Sequence, residues 1–157
     1  MKKWLLIGIG IVTLIIVFLT NIYLNSTDPL KTAEKKALSA AKKKVEISSV
    51  QDLQIYHGNE TFFILRAKND KNTDIIVWVP EKGGNVIVRK ASEGISQQEA
   101  IDKLIQEKNP KEIVAVRLAM LKSRQCWEIY YLSHNNLINY YYIDFKTGEW
   151  LRKIENM

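Results

Sequence analysis

The longest apolar stretch of the chain lies close to its N-terminal end, between Trp4 and Leu24. These 21 residues contain no charged side chain. A helix rises about 1.5 Å per residue, so this stretch is long enough to cross a hydrocarbon core of roughly 30 Å. A helix also pairs its own backbone polar groups, which lipid cannot do. The pattern therefore predicts a transmembrane anchor, with residues 1–26 forming a cytoplasmic tip and the anchor itself.

A cleaved secretory signal is the alternative interpretation of this stretch, because it too begins with a basic tip and an apolar run. The run is longer than the roughly 7–15 apolar residues of such signals, and the following TNIYLNST has no small-x-small cleavage site. Six lysines follow the anchor and, by number alone, favour an inverted orientation. Long domains translocate largely regardless of charge. We therefore expect a single-pass cell-membrane protein with a cytoplasmic N-terminus and extracytoplasmic C-terminal domains.

After the anchor, the hydrophobic pattern predicts one helix and four strands, and then the same order again. Asp28 and Pro29 suit the start of the first helix, after a break in the chain at residues 25–29. The second helix begins at the capping box Ser96–Glu99 and ends before Pro110. The apolar stripes are Leu30, Ala33, Ala37 and Ala41 in the first helix and Ala100, Ile101, Leu104 and Ile105 in the second. Strands are predicted at 48–56, 61–68, 74–80, 85–90, 112–122, 126–133, 137–144 and 149–155.

The two halves form an internal repeat with a period of about 60 residues. Residues 77–84 align with residues 141–148, and the pair Arg89–Lys90 aligns with Arg152–Lys153. A unit of this size buries little surface alone, and its helix can cover one face of its own sheet. The predicted fold class is therefore α+β: an N-terminal transmembrane helix followed by two units, each with one helix packed on a four-stranded antiparallel sheet. We expect these units at residues 27–92 and 93–157.

The net charge of +6 is confined to the N-terminal part of the chain, because residues 45–157 carry 15 basic and 15 acidic side chains. A neutral body argues against nucleic-acid binding. The lysine-rich first helix would lie beside the membrane, where each lysine could add about 1 kcal/mol of attraction to anionic groups. Candidate contacts to lipid headgroups or wall polyanions are Lys35, Lys36, Lys42 and Lys43. The alternative is that these lysines form a solvated face.

The sequence offers little chemistry for catalysis or metal binding. His57 and His134 fall in predicted turns, and Cys126, the one cysteine, opens an apolar run that favours a buried and inert thiol. Nucleophile-elbow, phosphate-loop and zinc-protease motifs are absent from the sequence. We therefore expect no enzymatic activity, no catalytic residue, no metal and no cofactor. Glu128 is the only carboxylate inside a strongly apolar run, and we expect it at the rim of the sheet.

A candidate binding surface lies on the aromatic strands near the C-terminus. If His134–Asn136 is a three-residue turn, Tyr130 stands opposite Tyr140, and Glu128 stands opposite Tyr142. These four residues would share one face, with the aromatic and polar composition that favours recognition. The opposite face, which forms the better core, holds Trp127, Ile129, Tyr131, Tyr141 and Ile143. The alternative for the first face is that its tyrosines pack between the two units.

Residues 141–151 resemble the PepSY motif, a hydrophobic strand ending in Asp144, then x-x-Thr147-Gly148-Glu149 and a second hydrophobic strand. Together with the anchor, the strand at 77–80 and the helix start at 94–100, nearly the whole chain resembles the TseB/YpmB-like family. The first unit departs from the motif, with Pro-Glu-Lys-Gly-Gly at residues 80–84.

The resemblance implies two cystatin-like, PepSY-like domains outside the cytoplasm. It also implies a non-enzymatic regulator of cell-wall elongation that acts through a membrane-bound penicillin-binding protein. The alternative function is a module that binds a wall or lipid polyanion through the juxtamembrane lysine-rich helix.

Overall fold

The computed structural model describes the backbone of residues 2–155, and the side chains of residues 8–20 and 31–155. Two compact units are distinguished, residues 1–36 and residues 37–157. The first helix, α1, is Lys2–Lys44, and its backbone is helical through residues 25–29. The break predicted there is wrong, because the backbone continues as one helix across these residues even though proline disfavours a helix interior.

Within the described residues, no helix provides a stretch that is both long and apolar enough to span a membrane. The ends of the predicted anchor, Trp4–Leu24, lie outside the described side chains, as do the basic tip and the predicted helix start at Asp28. The anchor therefore stays a prediction.

Residues 37–157 contain the end of α1, a second helix and two four-stranded sheets, each with its strands side by side in chain order and antiparallel. The second helix, α2, is Gln97–Lys108, and a short 3-10 helix precedes it at Ala91–Glu93. The first sheet consists of β1 Ile47–His57, β2 Thr61–Asn69, β3 Asp74–Pro80 and β4 Ile87–Lys90. The second consists of β5 Glu112–Leu121, β6 Arg124–Leu132, β7 Ile138–Asp144 and β8 Trp150–Ile154. The predicted α+β class with two antiparallel sheets is confirmed, and the domain limits at 27–92 and 93–157 stay predictions.

The predicted capping box starts α2. The Glu99 N–H donates to Ser96 Oγ at 3.2 Å, and the Ser96 N–H donates to the Glu99 carboxylate at 2.7 Å. The helix ends at Asn109, whose φ of 45° is left-handed and whose N–H donates to the Ile105 carbonyl. Ala100 and Leu104 are buried as predicted, whereas Ile105 is 47% exposed, so the buried stripe is narrower than predicted.

Both sheets contribute to one hydrophobic core. In its centre, the ring of Trp78 from the first sheet meets the ring of Phe145 edge-on, with centroids 5.6 Å apart. The two sheets therefore share a core that neither could complete alone. The core residues are Tyr56, Phe62, Ile64, Ile76, Trp78, Ala100, Leu104, Leu118, Ala119, Met120, Cys126, Trp127, Ile129, Tyr131, Tyr141, Tyr142, Ile143 and Phe145.

The first sheet is buried on its other face as well. Phe63, Leu65 and Val77 are buried there, and the end of α1 supplies the buried Ala37 and Ala41. Strand β3 is therefore buried on both faces, as its continuous apolar sequence predicts.

Candidate partner-binding groove

The predicted register of the two aromatic strands is confirmed. The Ser133 N–H donates to the Leu137 carbonyl at 3.0 Å, which leaves residues 134–136 as a three-residue turn. Tyr130 pairs with Tyr140 and Glu128 pairs with Tyr142. Because residues directly opposite each other share a face, the two faces of the second sheet follow from this turn.

One face of the second sheet is covered by α2, and we call it the helix-covered face. All five residues predicted for the core of this face are buried: Trp127, Ile129, Tyr131, Tyr141 and Ile143. Trp127 Nε1 donates to the Ile95 carbonyl at 2.9 Å, and the Tyr141 hydroxyl donates to the Glu107 carboxylate. The indole N–H and the phenol hydroxyl therefore both have partners, one just before α2 and one within it. These hydrogen bonds help to hold the helix against the sheet.

The opposite side, the groove face, carries the four candidate binding residues. Glu128 and Tyr142 are 3% and 7% exposed, so they lie deep in this face. Tyr130 and Tyr140 are half-buried, and their rings stack at 5.2 Å with an angle of 15° between the planes. Glu128 and Tyr142 therefore form a deep pair, and Tyr130 and Tyr140 form a surface pair. The binding role of all four residues stays a prediction.

Glu128 lies in the interior, so the prediction that it lies at the rim of the sheet is wrong. Arg117 stands directly opposite Glu128 in the β5–β6 pairing. Its Nε and Nη2 atoms both lie 2.5 Å from Oε1 of Glu128. A buried carboxylate is stable only when paired and hydrogen-bonded, and this arginine supplies that partner from the edge strand.

Tyr56 from the first sheet covers the deep pair. The Arg117 guanidinium lies 5.9 Å from the centre of the Tyr56 ring. Gln54, on the same strand as Tyr56, donates from Nε2 to the Leu118 carbonyl at 2.8 Å. Burial, together with the nearby Glu128 carboxylate, raises the pKa of Tyr56 to about 12. Gly58 allows this ring position, because a Cβ there would lie 2.6 Å from the ring. Tyr142 therefore packs between the two sheets, whereas Tyr140 is only half-buried.

A groove of about 270 Å³ opens between Tyr56 and the end of the second sheet. Its lining includes the cations Arg117, Lys122 and Arg152, together with the partly exposed Tyr140 and Ile154. Among the described residues that line it, Glu128 is the one carboxylate, so the groove is positively charged. Sequence analysis missed both Arg152 and Lys122. A signal for both was available in the sequence. Arg152 lies in β8 and Lys122 directly follows β5, and each of these strands pairs with one of the two aromatic strands, β7 and β6.

Cys126 and the two histidines are placed much as the sequence suggests. Cys126 is buried as predicted, and burial raises the pKa of its thiol to about 12, whereas the inertness of the thiol stays a prediction. His134 lies exposed in its turn, and His57 is exposed at the end of β1 rather than in the turn itself. Across residues whose side chains are described, no cluster of three metal-ligating groups occurs.

The four candidate lysines of α1 are all exposed. Lys35 and Lys36 belong to residues 1–36, and Lys42 and Lys43 belong to residues 37–157. Their contact with polyanions stays a prediction.

Comparison with known families assigns two domains to the chain. Residues 36–80 match the cell wall elongation regulator TseB-like domain. Residues 94–153 match the peptidase propeptide and YPEB domain, known as PepSY. The first match covers the end of α1 and strands β1 to β3, and the second covers α2 and nearly all of the second sheet.

Two relatives from Bacillus subtilis resemble the chain over most of its length. The protein described as probable cell wall elongation regulator TseB is 27% identical over 147 residues, which cover 92% of this chain and 91% of that protein. The solved structure of the YpmB protein is 29% identical, with a TM-score of 0.73, and the match covers 77% of this chain and 95% of that one. The chain therefore contains a TseB-like domain followed by a PepSY domain, and it is similar to both Bacillus subtilis proteins over most of its length.

Proposed function

We propose that this protein is a membrane-anchored, non-enzymatic regulator of cell-wall elongation that binds a membrane-bound penicillin-binding protein outside the cytoplasm. The observation that carries the proposal is its similarity, over 92% of the chain, to a protein described as a probable cell wall elongation regulator. The groove face supports binding, because it offers a stacked tyrosine pair beside a positively charged groove.

The apolar N-terminal stretch supports the anchor in this proposal. Large apolar side chains project from every side of α1 between residues 9 and 19, as a lipid environment favours. The exposed ones are Ile9, Ile11, Val12, Leu14, Ile15, Ile16, Val17, Phe18 and Leu19. An anchor would keep the protein and a membrane-bound partner in the same plane, where high effective concentration strengthens even a weak contact.

Two side chains that could carry chemistry are already engaged, which supports a non-enzymatic role. Cys126 is buried and protonated, so it lacks the thiolate that a nucleophile needs. Glu128 is bound by Arg117. Cys126 therefore serves packing in the core, and Glu128 serves charge pairing in the groove.

The proposal is tested by placing a photo-crosslinking amino acid at Tyr130, Tyr140 or Lys42 of the full chain in its native membrane. We expect Tyr130 and Tyr140 to capture a penicillin-binding protein, which mass spectrometry would identify. The same amino acid at Glu149, an exposed residue outside the groove, is the matched control. If none of the three positions captures a membrane protein, the proposal is wrong.

A second function, polyanion binding through α1, is favoured by the exposure of all four candidate lysines. Attraction between exposed charges is screened by salt. Full-length protein with Lys35, Lys36, Lys42 and Lys43 changed to Gln should then lose binding to purified cell walls, and high salt should release the unaltered protein. Undiminished binding of this variant would exclude the lysines as the polyanion site.

A further inference from the structure

We infer that the groove binds a peptide segment of the partner in which a carboxylate side chain lies next to an aromatic or large aliphatic one. The carboxylate would bind Arg152 and the free donors of Arg117, and the apolar side chain would lie on Tyr140 and Ile154. This inference rests on the proposed function and gives the chemistry of its contact.

The charged part of the groove is a row of four side chains across the second sheet. Arg117, Glu128, Tyr142 and Arg152 stand opposite one another on successive strands β5 to β8. Glu128 and Tyr142 are buried in the middle, so an arginine lies at each end. The buried acid neutralises one arginine and leaves the row with a net positive charge. An anionic ligand complements this arrangement.

Both arginines have donors to offer. Arg117 uses Nε and Nη2 on a single oxygen of Glu128, although a guanidinium carries five N–H donors. Arg152 is exposed, and none of the described residues forms an ion pair with it. Lys122 adds a third positive charge to the lining. Guanidinium groups bind carboxylates with two parallel hydrogen bonds, which gives direction as well as attraction.

The apolar part of the groove lies in the next row of the same face. Tyr140 stands opposite Ile154 on one side and opposite Tyr130 on the other. Because the Tyr130 ring stacks on it, the Tyr140 ring is held in place before a ligand arrives. A rigid aromatic surface loses little conformational entropy on binding. This row therefore fits an apolar side chain next to the bound carboxylate.

A second depression in the protein shows why charge selects the groove. It is larger, about 570 Å³, but its lining mixes three cations with three acids. The charged residues there are Arg89, Arg124, Lys146, Glu93, Asp144 and Glu149. Their charges balance, so this depression has no preference for anions. A ligand made only of anionic groups would also leave the tyrosine and isoleucine of the groove uncovered, which favours a peptide over a polyanion.

The test measures the fluorescence anisotropy of an end-blocked, fluorescein-labelled peptide, Gly-Asp-Phe-Asp-Phe-Gly, titrated with the full chain in phosphatidylcholine nanodiscs. Comparison peptides replace both Asp by Asn or both Phe by Ser. We expect Arg152→Gln to raise Kd about tenfold, the loss of one charge-assisted contact. Arg124→Gln, at another exposed arginine that lies outside the groove, should change Kd less than twofold.

Several outcomes would overturn the inference. They are no binding of the Asp-Phe peptide, equal binding of the Asn-Phe or Asp-Ser peptide, or an unchanged Kd in Arg152→Gln. If inorganic polyphosphate displaces the Asp-Phe peptide completely, and binds Tyr140→Ala as tightly as the unaltered protein, the groove is a polyanion site instead. If crosslinks from Tyr140 still capture the partner when Arg152→Gln has no effect, the acidic-peptide chemistry fails while the proposed function stands. If the peptide binds but no partner is captured, the proposed function fails while the acidic-peptide chemistry of the groove stands.

Discussion

The two faces of the second sheet are built from the same strands and similar residues, yet they differ in what covers them. Tyr141 and Tyr142 are neighbours in sequence and both are buried. Tyr141 lies under α2 and donates to Glu107, whereas Tyr142 lies in the groove between the sheets, beside Tyr56 and the ion pair. All five core residues of the helix-covered face are buried, while Tyr56 covers only the deep part of the other face. Partial cover leaves an open surface next to a rigid core, and this makes the groove face the candidate for binding.

The largest effect should come from the helix-covered face. Trp127→Ala removes a buried ring that donates to Ile95 and lies under the Arg66 guanidinium, so we expect the free energy of unfolding to fall by about 4 kcal/mol. Urea unfolding of the full chain measures this loss. Trp150→Ala, at a site that is 52% exposed, should stay within about 0.5 kcal/mol. Similar losses in the two variants would mean that α2 does not protect this face.

A smaller loss is expected on the groove face. Glu128→Ala leaves Arg117 without its buried partner, but the arginine side chain is half-exposed and water can solvate it. We therefore expect a loss of about 2 kcal/mol, less than for a fully buried pair. Urea unfolding again gives the value, with the exposed Glu149→Ala as control at about zero. If both variants were equally stable, the Glu128 carboxylate would contribute nothing to the free energy of unfolding.

The start of α2 should matter less than either side chain. Ser96→Ala removes the oxygen that accepts from the Glu99 N–H, which should lower the free energy of unfolding by about 1 kcal/mol. Ser92→Ala, at an exposed site in the 3-10 helix before α2, should have almost no effect. Because the cap acts on the helix-covered face, binding of the Asp-Phe peptide should remain unchanged. A weakened peptide contact in Ser96→Ala would show that the two faces are coupled.

The last expected effect is confined to alkaline pH. The pKa of Tyr56 is about 12 in the folded protein against an ordinary value of 10.0, so the folded state keeps a proton that the unfolded chain loses. Its contribution to stability is present below pH 10 and is lost as the pH rises toward 12. Urea midpoints between those values should fall less steeply in Tyr56→Phe than in the half-buried control Tyr130→Phe. Identical slopes would mean that Tyr56 is not sealed against the second sheet.

The order of the elements and the register of the aromatic strands could be predicted because both depend on local rules. The period of apolar residues placed all eight strands to within two residues at each end. The three-residue turn at 134–136 then fixed which tyrosines face each other. The helix break at 25–29 was mispredicted, since local turn signals were outweighed by the helical pattern on either side.

The position of Glu128 could not be predicted, because the residues that enclose it come from distant parts of the chain. Arg117 lies on the neighbouring strand, but Tyr56 belongs to the other sheet and is 72 residues away from Glu128 in sequence. No periodicity within one unit indicates which face of that unit the other unit will cover. The same reason explains why Arg152 and Lys122 were missed as lining residues.

By itself, the sequence determined the strands, the cap of α2, the facing tyrosines and the family resemblance, since each depends on residues close together in the chain. Only the tertiary structure decided that Tyr56 of the first sheet covers the deep part of the groove face and leaves the rest open as a charged groove. That choice depends on how the two sheets share a core, and the free energy of shared burial is a property of both units together.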